Sequence, residues 1–579
     1  MPREPVPRGT VGDLLEVVGH ARIDNRVDLA AALPASLPAL GPVADDLTLV
    51  AALYRARGVS GLTELVGDFA VVLVDHRVGR AVAIRDHVGV QPLFYAVDAS
   101  GGIAFGSDIG GVAERAGIAA ADLSEQFLAH ALVGDFSNQL LTPYLGVERI
   151  PPGHLLSWRI ADRPGAPRRW WSAPETDLKL AATPFDQLTE SLAALLEGAV
   201  RDRCDSGARI GAQLTGGLDS SAVCALAASA QPAPVALHGG LRSYFADPSA
   251  DGREAKLEAP YLDAVVQRYG LRHTVITESG ELASHDGIRR GAAGGQPGGF
   301  PPYPHTMPAA WCRMNEAMTN DGVQLALSGW GGDQLASYSG RGYAAELLVH
   351  GRLVTFGRVL RAAHAGGRGY RGLIRQEVAS YLLGETRDRR AVRELAAICD
   401  PGFVARTGLR EMRGGLRRGP SPEVNRRRTL DSGYLGKRIE LDQWAATAHG
   451  VSYTYPLLDR RVVEWCLRVP TTAWVRDGRG RALFREAVRP RLPSIVADRT
   501  GKNAPDPAWG AAVFQDAVRK RVVFEAAVRD PRVVGLLPGL TAASAGRLDL
   551  LRRNRLEAVC LFIAQHSSPL PGRDGGSRG

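Results

Sequence analysis

Two hydrophobic rhythms divide the chain. Up to about residue 105, short apolar runs alternate with turn signals, as in LLEVVGHARIDN, FAVVLVD, RAVAIRD and GGIAFGSD. FAVVLVD and RAVAIRD are β-branched runs separated by HRVG, which predicts a hairpin. ADDLTLVAALYRARG has apolar residues at helical spacing and ends on Gly58, so the region reads as mixed α and β. Near residues 160–175, ADRPGAPRRWWSAPETD is rich in proline, glycine and charge, and a domain boundary is expected there. From about residue 185 a long helix, FDQLTESLAALLEGAVRDR, is followed by the buried strands RIGAQL, APVAL, HTVIT and VQLALSG. Helical segments such as APYLDAVVQRYG and MPAAWCRMNEAMTNDG lie between them. Strands alternating with helices predict a doubly wound parallel sheet, which binds ligands where strand C-termini meet helix N-termini. Residues 341–440 read as a solvated, arginine-rich helical insertion, and residues 566–579 as a disordered tail.

Composition narrows the class. With 579 residues the chain exceeds one hydrophobic core, and 45% hydrophobic with 23% charged residues is ordinary for a globular protein. The net charge of +9 is spread over too long a chain to indicate a nucleic-acid partner. Six cysteines are scattered singly, with no C-x-x-C pair, which argues against a structural zinc site or a disulfide framework. No secretory h-region and no run of about 18 apolar residues is present, so membrane insertion is not expected and a cytoplasmic location is.

The chemistry gathers in two glycine turns. In LTGGLDSS, from Leu214 and Thr215 to Ser221, Gly216 and Gly217 let the backbone bend and approach a ligand. The amides and the hydroxyls of Ser220 and Ser221 then sit at a helix N-terminus, where an anion is favoured. Asp219 would repel a bare phosphate, but makes sense if it holds Mg²⁺ on one. About 110 residues later, LALSGWGGDQ repeats a buried strand, a glycine turn and a carboxylate, Asp333. Taken singly, that second turn reads equally as an aspartate-capped turn. Paired on one sheet edge, Asp219 and Asp333 could share the metal.

These residues carry a resemblance. LTGGLDSS resembles the pyrophosphate-binding motif of the ATP pyrophosphatase superfamily, and the whole chain resembles the asparagine synthetase class B family. GHARIDNRVDL, GDFAVVLVD and AIRDHVGVQPLFY are similar to that family's glutaminase domain, and SGWGGDQ and YPLLDRRVVEW to its synthetase domain. The resemblance implies an Ntn-hydrolase-like αββα sandwich over residues 1–170 and an α/β ATP-pyrophosphatase domain with helical additions over residues 185–565. It implies ATP and Mg²⁺ as cofactors, with Leu237, Gly329, Gly331 and Arg481 joining the first motif around the nucleotide. Lys502 is the candidate catalytic lysine, although R-x-K is stretched here to RTGK; a lone surface lysine is the other reading. The implied activity is conversion of a carboxylate to an acyl-adenylate, then attack by a nitrogen nucleophile to give an amide.

Departures from the family pattern set the expected subtype. Position 2 is Pro2 where family glutaminases expose a cysteine, and the first cysteine is Cys204, so the N-terminal domain is expected to be a catalytically dead packing scaffold. Trp330 stands where asparagine synthetases have glutamate and β-lactam synthetases tyrosine. An indole only donates and cannot be a general base, but its flat face suits a peptide pocket. VSYTYPLLD places Ser452 and Thr454 where the synthetases often have glutamate and arginine. The loop GGQPGGFPPYPHTMPAAW, with Tyr303 and His305, is expected to shape substrate together with Trp330 and Ser452. The expected enzyme is a lasso-peptide-type cyclase that joins an aspartate or glutamate side chain of a precursor core peptide to its N-terminal amine. Its expected partners are that peptide, a leader peptidase and a leader-binding protein. A free α-amine has a pKa of about 8, which lessens the need for a strong base. A β-lactam synthetase, an asparagine synthetase using free ammonia and a non-catalytic binding paralogue remain the alternatives.

Overall fold

A computed structural model describes residues 8–10, 14–34, 45–119, 122–205, 208–230, 241–247, 252–277, 309–365, 369–413, 419–476, 478–499, 528–541 and parts of 555–564. Strands β1 (Arg8–Thr10), β2 (Leu15–Ile23), β3 (Gly67–Asp75), β4 (Arg80–Arg85), β8 (His154–Arg159) and β9 (Arg168–Arg169) form one antiparallel sheet in the order β1-β2-β3-β4-β8-β9. Strands β5 (Phe94–Val97), β6 (Ile103–Gly106) and β7 (Val147–Arg149) form a second in the order β6-β5-β7. On β3, Phe69, Val71 and Leu73 pack with Leu49, Val50 and Leu53 of the helix Asp46–Leu62. Ala70 and Val72 point the other way, into a cluster with Leu93 and Tyr95 of the second sheet region. Both faces of β3 are therefore buried, which is why FAVVLV is continuously apolar. Phe94, Ala96, Val112 and Ala113 cover the outer side of the second sheet with the helix Ile109–Arg115. The four layers run helix, sheet, sheet, helix. The HRVG hairpin joins β3 to β4 as expected, and the helix Asp46–Leu62 kinks at Gly58, where φ is 62°.

Strands β10 (Ile210–Gln213), β11 (Arg242–Asp247), β12 (Arg272–Thr277), β13 (Leu325–Leu327) and β14 (Ser452–Thr454) make an all-parallel sheet in the order β12-β11-β10-β13-β14. The doubly wound α/β expectation holds. From β10 the chain winds outward through β11 to β12, then returns to place β13 on the other side of β10. That reversal between β10 and β13 is where such sheets open a crevice. The helices Phe185–Cys204 and Leu218–Ala230 bury Leu192, Leu196, Ala222 and Val223 in the core beside the sheet. APVAL lies outside the described residues. The segment 341–440 is mainly helical, but is less solvated than expected: Val392, Leu395 and Phe403 pack with Phe127, Leu128 and Leu132 of the N-terminal helix Glu125–Val133. Among the described residues, no helix is long and apolar enough to cross a membrane.

Buried charge joins the two halves. Arg203, 1% exposed, lies 3.5 Å from Asp24, 3.6 Å from Asp68 and 2.9 Å from Asp459. Arg22 pairs with both Asp24 and Asp68, the latter at 2.7 Å. Burial alone would push the Asp459 carboxyl up, but Arg203 and Arg461 outweigh it and hold the group below its usual range. Farther along, Glu440 accepts from Arg85 at 3.0 Å and Arg149 at 2.8 Å. Beside it the ammonium of Lys437 sits 4.6 Å from the ring centre of Phe136 and 5.4 Å from that of Phe127. Burial, reinforced by Arg149, pushes Lys437 down to about 7.

Candidate nucleotide and metal site

The two glycine turns meet at the crevice between β10 and β13. After β10, Gly216 turns the chain with φ at 70°, and a side chain there would lie 2.8 Å from Glu258 Oε2. Arg499 clamps the turn from behind: it donates to the Gly216 carbonyl at 3.0 Å and to both oxygens of Glu258 at 2.5 and 2.8 Å. Its guanidinium also stacks 3.8 Å from the centre of the Tyr261 ring. Ser220 Oγ accepts from the Thr215 amide at 3.1 Å, and the Ser221 amide donates to the Gly217 carbonyl at 3.0 Å. The first turn is thus braced before any ligand arrives. Leu214 is fully buried, with its amide given to the Tyr244 carbonyl at 2.9 Å.

The second turn presses directly on the first. A Cβ at Gly329 would lie 2.5 Å from the Ser220 nitrogen, and one at Gly332 would lie 2.9 Å from Asp219 Cγ. Gly331 has φ of 90° and faces Leu458, while Gly332 faces Leu457. Only glycine permits this approach.

Arg481 spans the result. Its Nη1 lies 3.5 Å from Asp219 Oδ2, and Nη2 donates to Asp333 Oδ1. Arg481 has φ of 63°, the one positive value outside glycine among the described residues. Strain of this kind gathers at functional sites. Asp219 Oδ1 is buried and makes no well-formed hydrogen bond among the described residues, with the Ser337 side chain as a polar neighbour. Burial and the neighbouring Asp333 push the Asp219 carboxyl up to about 7. A second carboxylate close by and an unfilled buried oxygen are what a divalent cation relieves, and Mg²⁺ commonly takes one or two carboxylates plus phosphate oxygens. The residues present therefore fit the metal. Arg485 deepens the positive field; burial and then Arg481 push it down to about 10.

Next to the turn, Trp330 forms an aromatic wall, its ring centre 6.0 Å from that of Tyr455 and 6.4 Å from that of Tyr434. Its amide donates to Ser328 Oγ at 3.2 Å, and that hydroxyl donates to Gln213 Oε1 at 2.7 Å.

Family comparison now decides the lineage. Residues 191–536 match the Asparagine synthase family, and residues 20–171 match the Glutamine amidotransferase domain. The chain belongs to the asparagine synthase family. It is 31% identical over 182 residues to "Asparagine synthetase [glutamine-hydrolyzing] 2" of Arabidopsis thaliana, covering 31% of this chain and 26% of that protein. To "Asparagine synthetase [glutamine-hydrolyzing]" of Sandersonia aurantiaca it is 30% identical, covering 37% of this chain and 33% of that protein. "Amidase chry2" of Gibberella zeae is 27% identical, with 31% and 26% covered. The matched stretches thus span a quarter to a third of these relatives. Among solved structures, a glutamine phosphoribosylpyrophosphate amidotransferase from B. subtilis covers 49% of this chain and 65% of its own at 14% identity; the TM-score of 0.21 is too low to bear on the fold.

At this crevice the structure brings together Thr215, Gly216, Gly217, Asp219, Ser220, Ser221, Gly329, Trp330, Gly331, Asp333 and Arg481. Ser452 begins β14, at the opposite end of the strand from Trp330; its amide donates to the Gln324 carbonyl at 2.9 Å, and Tyr455 stands at the edge near Trp330. Thr454 points into the domain seam, donating to Asp68 Oδ2 at 2.6 Å. Leu237, Tyr303, His305 and Lys502 lie outside the described residues. Sequence reading passed over Glu258, Arg499 and Arg485. Arg499 stands in the RTGK segment that it did single out, but its partner is 241 residues away.

Proposed function

We infer that the chain is an ATP- and Mg²⁺-dependent, AMP-forming amide ligase, and within that class a lasso-peptide-type cyclase. The observation that carries this reading is the convergence of Asp219 and Asp333 at the sheet crevice, bridged by Arg481 and flanked by the wall of Trp330, Tyr434 and Tyr455. Asp219 and Asp333 would hold Mg²⁺, which when bound would offset charge on the departing pyrophosphate. A side-chain carboxylate oxygen of the core peptide attacks the α-phosphorus of ATP and pyrophosphate leaves. The peptide's N-terminal nitrogen then attacks the acyl carbon, the C–O bond to AMP breaks, and the ammonium proton passes to solvent. Arg481 and Arg485 favour the growing negative charge on the phosphates. Trp330 offers a flat face to a peptide, and holding amine and acyl carbon together is itself catalysis.

A second reading, amide formation from a small acid and ammonia, draws support from the names of the curated relatives. Ammonia released from glutamine by Cys204 is disfavoured, because burial pushes that thiol up to about 12. The test is incubation with the candidate core peptide, ATP and Mg²⁺. An ATP-dependent product lighter by one water supports the cyclase; AMP formed from aspartate and ammonia without peptide overturns it.

A further inference from the structure

The segment Thr454–Asp459 lies between the N-terminal domain and the second glycine turn, and each face of it is occupied. On the turn side, Leu457 packs against Gly332 and Leu458 against Gly331, so these two leucines form the floor under Trp330 and Asp333. On the other side the contacts are polar and come from the first domain and from Arg203 of the second. His87 bonds the Leu458 carbonyl through Nε2 at 2.8 Å; a carbonyl only accepts, so Nε2 carries the hydrogen. Asp68 accepts from Thr454 Oγ1 at 2.6 Å, and Arg203 joins Asp68, Thr454 and Asp459. His87 is itself fixed. Asp86 accepts the amides of Val88, Gly89, Val90 and Gln91 at 2.6 to 3.2 Å, which locks the loop that carries the imidazole, and the Trp171 ring meets the imidazole edge-on with centres 5.3 Å apart.

We propose that His87 and Asp68 are positioning residues for the synthetase site: through the Thr454–Asp459 segment they set how closely the second glycine turn, and with it Asp333, approaches Asp219. The consequence for turnover rests on the ligase reading above; the consequence for the turn itself does not. The N-terminal domain then serves as a rigid backstop for the metal and nucleotide site. Loss of either hydrogen bond frees Leu457 and Leu458 to retreat, and the glycine turn follows.

The test uses the full chain and pairs each disruptive change with a conservative one: His87→Ala with His87→Gln, whose amide can donate to the same carbonyl, and Thr454→Val with Thr454→Ser. Hydrogen–deuterium exchange is read without nucleotide on peptides covering residues 328–336. Exchange there rises about tenfold in His87→Ala and Thr454→Val, the factor carried by one lost buried hydrogen bond, and stays near wild type in His87→Gln and Thr454→Ser. In the peptide assay the first pair shows a raised KM for ATP, and the second pair restores it. Unchanged exchange in folded His87→Ala and Thr454→Val overturns the proposal, as does equal impairment of disruptive and conservative variants. If His87→Ala does not fold, the threonine pair decides. A wild-type protein that consumes no ATP sinks the ligase reading alone, because the exchange measurement needs none.

Discussion

Gly329→Ala probes the contact between the two turns most directly. The new Cβ would sit 2.5 Å from the Ser220 nitrogen and 2.7 Å from Asp219 C and Ser220 Cα. Ordinary contact begins at 3.4 Å, so the methyl is about 0.9 Å too close. All three crowded atoms are backbone. They open the helix Leu218–Ala230, whose start is fastened by the bond from the Ser221 amide to Gly217. That helix cannot step aside, so the second turn moves and takes Asp333 with it. Overpacking of this kind costs about 1–3 kcal/mol of stability, a shift of only about 1–3 °C in Tm at an unfolding entropy of about 2.1 cal/mol/K per residue in a chain of this size. Function should suffer more, because a displacement near 1 Å at a reacting centre costs about 10²-fold. The assay is kcat/KM for pyrophosphate release with ATP, Mg²⁺ and peptide, beside a thermal melt without nucleotide. Gly372→Ala is the control, since a Cβ there meets nothing within 4 Å. A folded Gly329→Ala protein within threefold of wild type would refute the reasoning, and so would an equal loss in the control.

Asp219→Asn and Asp333→Asn should each lower AMP release by more than about 10²-fold, consistent with the loss of a preorganised electrostatic group; near-normal release in either would remove that carboxylate from the metal site. Arg499→Met leaves Glu258 buried without its cation and should cost about 3–5 kcal/mol in denaturant unfolding; the double variant with Glu258→Gln should recover part of it, and failure to do so would show that the pair does not act as a unit. Lys437→Met should raise Tm at pH 6. Burial holds Lys437 at about 7, below the ordinary lysine value of 10.5, so below pH 7 the wild type carries a buried charge, and between those values its stability rises with pH. The advantage of the variant should therefore narrow from pH 7 towards pH 10, and a pH-independent difference would contradict the assignment.

How far the sequence spoke depended on the range of the forces involved. The β3–β4 hairpin and the break at Gly58 were legible because period and turn chemistry are local. The pairing of Asp219 with Asp333 was legible because two strand–glycine–carboxylate patterns imply one sheet edge. Strand β14 was missed: SYT is three residues long, and only its parallel neighbour Leu325–Leu327 makes it a strand. RSYFAD, which forms β11, was not anticipated beside the stronger apolar run APVAL. Glu258 with Arg499, and Asp68 with Thr454, are buried polar pairs 241 and 386 residues apart, and no periodicity announces such partners.

The ion cluster around Arg203 also constrains how this architecture can change over evolutionary time. Its counter-charges Asp24 and Asp68 belong to the first domain, while Arg203 itself belongs to the second. A lineage that deleted the first domain would leave Arg203 with Asp459 as its remaining carboxylate partner and expose the segment that supports Trp330. Neutralising the cluster one residue at a time passes through states with an unmatched charge. Selection can therefore preserve the fold of the first domain long after any chemistry of its own has ceased to matter, as a matter of charge balance alone.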